Sequence, residues 1–130
     1  MKVKIDDLED MKLKDYLLVI HGIKQIPVYK VEETAAKYVS GGKKADREEL
    51  RMVIIEQNLK QVISVAARYR GAGLSFASLI RAGNKGLIDA VINLKKGETD
   101  NICAYIVWCI EGAIIDALVK VKKTSQKKGW

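Results

Sequence analysis

Proline, histidine and phenylalanine each occur once in these 130 residues, cysteine twice, and the other aromatics are two Trp and five Tyr. So little proline and aromatic content, with Leu, Ile, Val and Ala recurring every three or four residues, argues against a sandwich or barrel and for helices throughout. One His and two Cys cannot assemble the usual metal or redox sites, and HExxH, a phosphate-cradling glycine loop and a nucleophile elbow are all missing. Neither an enzyme nor a cofactor nor a metal is expected. His21 has no ligand set nearby and reads as an ordinary helix-end histidine. Cys103 and Cys109 stand six apart on an apolar helix, a spacing that suits free thiols behaving as small hydrophobes. No apolar run approaches membrane-spanning length without a charge, so no membrane is expected as partner. The opening MKVKIDDLED puts acids where a signal peptide would be apolar, and the expectation is a cytoplasmic protein.

What is present is positive charge and helical periodicity. Net charge is +7, with a pI of about 9.4, and from Lys120 to Trp130 the chain holds Lys120, Lys122, Lys123, Lys127 and Lys128 with no acid. Such a cluster suits a polyanion, DNA or RNA before a membrane surface, and equally suits a solvated tail. The length fits one compact bundle of about four to six helices. A weak helical pattern covers Leu8 to Ile26, with Gly22 ending the helix and Ile26-Pro27 forcing an extended turn. A short helix is expected from Glu32 to Val39. Asp46 and Glu49 resemble a capping box opening a helix over 47–70, the expected longest of the core. Phe76 opens another, in which Gly83 and Gly86 sacrifice helix propensity and signal close approach by a second backbone, internal or external.

The most informative stretch runs from Asn101 to Val121, capped by Thr99 or Asp100. At about 100° per residue, Ile102, Ile106, Cys109, Ile110, Ala113 and Ala117 share one broad face, which is core. Tyr105, Trp108, Gly112 and Ile115 share a narrower stripe beside it, fit either for a partner or for packing against the N-terminal helices.

QNLKQVISVAARYRGAGLSFASLIRAGNKGLIDAV followed by AYIVWCIEGAI resembles the second conserved region of bacterial RNA polymerase sigma factors. The family pattern runs N-L-R-L-V-x-S-I-A-x-x-Y, then D-L-I-Q-E-G-N-x-G-L-x-x-A-V, then Y-A-x-W-W-I-R-x-A-I. Asn58, Leu59, Val62, Ser64, Tyr69, Leu79, Ile80, Gly83, Asn84, Gly86, Leu87, Tyr105, Trp108, Ile110 and Ala113 carry it here. The likeness covers about Ala45 to Leu118, and YLLVIHGIKQIP is more faintly similar to the helical segment preceding this region in larger members. It implies an N-terminal helical segment (1–44), a sigma-like helical domain (45–121) and a basic tail (122–130). The short, divergent sequence is of a kind a phage could carry.

The resemblance implies two surfaces. Ser78, Arg81, Ala82, Asn84, Lys85 and Ile88 occupy positions that dock on the clamp helices of the polymerase's largest catalytic subunit. Tyr105 stands where the family stacks a flipped base of the non-template strand, Trp108 begins its wedge at the duplex edge, and Gly112 and Ile115 continue that stripe. Lys120, Lys122, Lys123, Lys127 and Lys128 then hold phosphates, and a second subunit could supply upstream promoter contacts. Departures fall on both surfaces: Ser78 and Ala82 replace acids, Arg81 replaces Gln, and Cys109, Glu111 and Gly112 replace Trp, Arg and Gln. Glu111, about 60° around the helix from Trp108, is expected to repel phosphates. The expected function is a transcription initiation factor that binds polymerase core and recognises a −10-like element. The alternative is a regulatory protein that occupies the clamp without reading DNA. A generic basic DNA-binding domain, resting on charge alone, is the third reading.

Overall fold

The computed structural model describes residues 12–95 and 101–127, with side chains through Thr124. The described residues form five helices and no strand: α1 (Leu13–His21), α2 (Val28–Val39), α3 (Lys44–Ala67), α4 (Phe76–Ile92) and α5 (Ile102–Lys127). The fold is the all-α bundle that the spacing predicts.

Its centre is the packing of α4 against α5, the most extensive of the helix pairs, with α3 lying across both and α2 reaching α3 and α5. Ile102, Ile106, Ile110 and Ile114 recur at every fourth residue of α5, and all four are fully buried. They meet Leu79, Ile80, Leu87 and Val91 of α4 and Ile54, Leu59 and Val62 of α3 in one cluster. Burying an aliphatic side chain of this size contributes about 1.5–3 kcal/mol. By length and composition Ile102–Thr124 could cross a membrane. Instead, its isoleucine face forms the bundle's core, and Glu111 and Asp116 interrupt the apolar run.

The glycines of α4 are consumed inside the fold. A Cβ on Gly86 would lie 2.6 Å from Ala113 Cβ and 2.9 Å from the Cys109 carbonyl oxygen, so α5 crosses α4 almost backbone to backbone. Gly83 sits under the Val62, Ile110 and Ile114 side chains. The close approach is therefore to an internal helix.

The N-terminal helices belong to the same core. Tyr16 and Ile20 of α1 and Val31, Ala35 and Tyr38 of α2 are buried in it. Gln57 of α3 clasps the connection between them, accepting from Ile26 N (2.8 Å) and donating through Nε2 to the Lys24 carbonyl (3.0 Å). Arg47 donates to the Tyr38 carbonyl and stacks over its ring, with 4.8 Å to the centroid.

Several boundaries differ from expectation. α2 begins at Val28, ahead of Glu32, because Pro27 takes the N-cap position with a fixed φ of −58° and no N–H to leave unpaired. α3 starts at Lys44 with no side-chain cap, leaving Asp46 in the first turn, where a carboxylate favours the helix dipole. It ends at Ala67. Residues 68–73 turn through Gly71 and Gly73, whose φ values of +85° and +128° favour glycine, before Ser75 caps α4 by accepting from Ser78 N. At 26 residues α5 exceeds the 24 of α3, so the longest helix is the last one. The start of the first pattern (Leu8–Met11) and the cap candidates Thr99 and Asp100 lie outside the described residues.

Two of the three helical glycines on the α4–α5 pair predict opposite outcomes. Gly86→Ala forces a Cβ into backbone and is expected to destabilise by about 1–3 kcal/mol. Gly112 has nothing within 4 Å of an added Cβ, so Gly112→Ala is expected to stabilise by about 0.5–1 kcal/mol. Chemical denaturation of the two variants beside the parent checks both signs.

Candidate functional site

With its isoleucine face buried, α5 presents the opposite stripe to solvent. Trp108 is 72% exposed, Ile115 and Val119 are each 41% exposed, and Gly112 is open. The stripe is thus a surface among the described residues, and packing of Trp108 against the N-terminal helices is excluded there. Tyr105, half-buried, packs at the edge of the core one turn before Trp108. Cys109 and Ala113 are also only half-buried, because the face they share turns toward α4 where that helix is stripped to glycine.

Between α4 and α5 runs an open groove of ≈ 640 Å³. Its floor is made of small residues, Gly86, Ala90, Cys109, Gly112 and Ala113, and Tyr105, Trp108 and Ile115 form the apolar wall. The charged lining residues are Asp89, Glu111 and Asp116; no Lys or Arg is among the residues lining this groove. A second groove of ≈ 280 Å³ shares Gly86, Asp89, Ala113 and Asp116 with it and adds Ala82, Ala117, Lys85 and Lys120. Charge along the α4–α5 surface therefore changes sign from acidic beside the aromatics to mixed beyond them.

Glu111 is held by an interaction the sequence does not reveal. Tyr69, just past the end of α3, donates its hydroxyl proton to Glu111 Oε1. That hydrogen bond, then burial and the carboxylate's charge, push the Tyr69 phenol above its ordinary 10.0, with Arg68 opposing. Glu111 thus braces the α3 turn against α5 while still lining the groove. Close by, Arg70 stacks over the Phe76 ring at 4.5 Å and fixes the same turn to the start of α4. Tyr69 carries part of the family pattern, but its partner stands 42 residues away, and no local spacing joins them.

On α4, Ser78, Arg81, Ala82 and Lys85 share one face at helical spacing. Arg81 and Lys85 are exposed, while Ser78, Ala82 and Ile88 are half-buried. The Ser78 hydroxyl accepts from Ser75 Oγ at 2.9 Å. Asn84 departs from expectation. It points away from that face, is 3% exposed, and donates through Nδ2 to Tyr16 Oη at 3.1 Å, so it ties α1 to α4 from within and is not a surface contact. Its Oδ1 is also buried, with no hydrogen-bond partner among the protein groups described. A second buried asparagine, Asn58, satisfies itself on the Ile54 carbonyl at 2.8 Å, one turn back along α3.

The basic end is helical as far as Lys127 rather than a frayed tail. Lys120, Lys122 and Lys123 are exposed on α5. Of the other two lysines in that cluster, the Lys127 side chain and Lys128 lie outside the described residues. Cys103 and Cys109 are free and only half-buried. Burial, and secondarily Glu32, raises the Cys103 thiol above its ordinary value, which keeps it protonated at neutral pH. Among the described residues there is no group of His, Cys, Asp and Glu suited to a metal.

Residues 54–124 match the family model for Sigma-70 region 2. Among curated proteins, the chain is 33% identical over 125 residues to RNA polymerase sigma factor SigA of Lactococcus lactis subsp. cremoris, covering 94% of this chain and 32% of that one. It is 35% identical over 126 residues to SigA of Clostridium acetobutylicum, covering 94% of this chain and 30% of the relative. SigA of a Bacillus species is 32% identical over 125 residues, with the same shares. The chain spans about a third of the length of these relatives.

The Tyr69–Glu111 bond predicts an alkaline signature. The phenolate midpoint missing from Tyr69→Phe in an ultraviolet titration is expected above 10.0, and Glu111→Gln is expected to lower it. Because the folded value is raised, the stabilisation is complete below pH 10 and is lost as pH rises through the folded midpoint. The stability gap between parent and Tyr69→Phe should therefore narrow above pH 10 in denaturation curves.

Proposed function

The chain belongs to the sigma-70 region 2 family, and from that membership we propose that it is a sigma-like transcription initiation factor. It binds RNA polymerase core through the outer face of α4. Through the outer stripe of α5 it meets the unpaired non-template strand of a −10-like element. The observation that carries this reading is Trp108, a large aromatic 72% exposed in a groove and one turn from Tyr105.

In this mechanism the protein catalyses nothing and lowers the free energy of an opened strand. Tyr105, steadied at the core's edge, offers a face on which an unstacked base can rest. Trp108 occupies the edge of the remaining duplex. Gly112 keeps the floor clear for the strand between Trp108 and Ile115, which extends the apolar wall. A base stacked on an aromatic contributes about 1–3 kcal/mol. Lys120, Lys122 and Lys123, continued by Lys127 and Lys128, draw phosphates at the far end of α5, with an attraction that weakens as salt rises. This sits in the cytoplasm with the polymerase, and a separate subunit would supply upstream promoter contacts.

For the polymerase, Arg81, where the family pattern has Gln, and Lys85 are the exposed cations of this face, flanked by Ser78, Ala82 and Ile88. They suit acidic residues on the clamp helices of the largest catalytic subunit. Asn84 contributes from beneath, by holding α1 against this helix.

One observation favours the second reading, a regulator that occupies the clamp without reading DNA. Asp89, Glu111 and Asp116 are the charged residues that line the groove beside Trp108. A transcription assay separates the two, since an initiation factor starts new transcripts and an occupant only lowers existing ones.

With polymerase core present, Trp108→Ala is expected to weaken binding to fork-junction DNA about 5- to 150-fold while circular dichroism keeps its helical signal. Undiminished binding by the folded variant overturns the role of Trp108 at the duplex edge. The paired variant Arg81→Glu with Lys85→Glu is expected to lose retention on tagged polymerase core, whereas Trp108→Ala alone stays bound. Equal retention of all three proteins would remove α4 as the docking face.

A further inference from the structure

Trp108 crowns the exposed side of α5, and the two sides that fall away from it differ in charge. At about 100° per residue, Gly112 and Asp116 stand about 40° and 80° to one side of it, followed by Cys109 and Ala113, which meet Gly86 of α4. Glu111 stands about 60° to the other side, where the Tyr69 hydroxyl reaches it. Asp89 and Asp116 therefore lie on the α4 side of Trp108, and the turn that follows α3 lies on the opposite side.

That turn is basic. From Gln57 to Ile88 the chain has no acid, and it holds Lys60, Arg68, Arg70, Arg81 and Lys85. Arg68 and Arg70 flank Tyr69 in sequence and are exposed, and neither forms an ion pair among the described residues. Arg68 acts on the Tyr69 phenol against the pull of Glu111. Arg70 is steadied by the Phe76 ring, 4.5 Å from its guanidinium. A stacked guanidinium keeps its N–H fork available, and that fork matches a phosphate bidentately.

We propose that Arg68 and Arg70 grip the phosphates of a single nucleic-acid strand whose base lies at Trp108, so that the α3–α4 turn sets the side of α5 along which the backbone runs. This grip rests on the DNA reading above and adds a direction to it. Distance selects these arginines over the lysines of α5. Lys120, the first of the lysines, stands twelve residues beyond Trp108, about 18 Å along the axis, more than twice the screening length of about 8 Å at physiological ionic strength. Glu111 is only about 4.5 Å along from Trp108, and the two arginines adjoin the residue that bonds it. Lys122, within about 20° of Glu111 around the helix, continues the same side three turns further on. On the α4 side, Asp89 and Asp116 turn phosphates away. Glu111 alone of the three groove carboxylates stands on the turn's side, and there the Tyr69 hydroxyl is bonded to it.

Salt titration of fork-junction DNA binding, with polymerase core present, tests the grip. Arg68→Gln, which disturbs no ring contact, is expected to lower the slope of log affinity against log salt by about 0.7, the value for one phosphate on a single strand. Adding Arg70→Gln is expected to bring the loss to about 1.4. Arg68→Lys with Arg70→Lys keeps both charges and is expected to keep the parent's slope, with the helical circular dichroism signal unchanged in every variant. Neutral methylphosphonates, placed one at a time along the unpaired arm, are expected to weaken the parent at two positions and to leave the double Gln variant unaffected at those two. A folded double Gln variant with the parent's slope, or with the parent's sensitivity at every methylphosphonate, overturns the proposal and leaves the promoter reading standing. Loss of its retention on polymerase core without DNA also overturns the proposal, since the arginines then serve the polymerase. A parent that does not bind fork DNA overturns both readings together.

Discussion

The structure depends on one crossing, where α5 passes over Gly86 of α4. With Ala113 Cβ and the Cys109 carbonyl oxygen so near, no side chain fits between the two helices, and their backbones set the distance. A crossing this tight orients α5 as a rigid body. Its isoleucine row turns into the core, and the stripe from Tyr105 to Val119 is thereby turned out. The exposure of Trp108 follows from how the opposite face is satisfied. The same lack of bulk that permits the crossing also hollows the groove beside it, because Gly86, Ala90, Cys109, Gly112 and Ala113 leave its floor low.

Around that crossing, polar side chains do the fastening. Gln57 makes two hydrogen bonds to the α1–α2 connection, Asn84 reaches Tyr16, and Tyr69 reaches Glu111. Each joins segments far apart in the chain. A net hydrogen bond contributes about 0.5–1.5 kcal/mol, less than one buried isoleucine, but direction is what these bonds supply. The hydrophobic core favours compaction without choosing how the short α1 lies against α4. The Asn84 amide, buried and able to satisfy its donor on the Tyr16 hydroxyl, makes that choice.

This division explains what could be read from the sequence. Apolar periodicity is local, so the helices, the buried isoleucine face and the Tyr105–Trp108 stripe were legible from spacing alone. Glycines inside a helix announced a close approach, although not by whom. Asn84 is interior where a polar helix residue is ordinarily solvated, and only Tyr16, 68 residues earlier, gives its amide a partner there. Glu111 lines the groove beside Trp108, and its bond to Tyr69, 42 residues away, is what no local spacing reveals. Helix ends were the other weak point. Pro27 and Lys43 take cap positions without any side-chain bond, so the serine, threonine or acid that normally marks a start was not there to be read.

Net charge is a poor guide to what α5 attracts. The chain's +7 is an average over patches that do not sense one another strongly. Asp116 and Lys122 are separated by about 9 Å along the helix axis, comparable to the screening length of about 8 Å at physiological ionic strength. A strand or helix approaching the groove therefore meets Asp89, Glu111 and Asp116 before the lysines weigh in, and one approaching the far end meets Lys120, Lys122 and Lys123. Nucleic acid can be held by this surface only if its phosphates lie toward the lysines and its bases toward Trp108, since phosphates placed at the carboxylates would be repelled. The two halves of α5 thus impose a polarity on whatever binds. That polarity is a constraint that the summed charge, the fold and the aromatic pair would not impose by themselves.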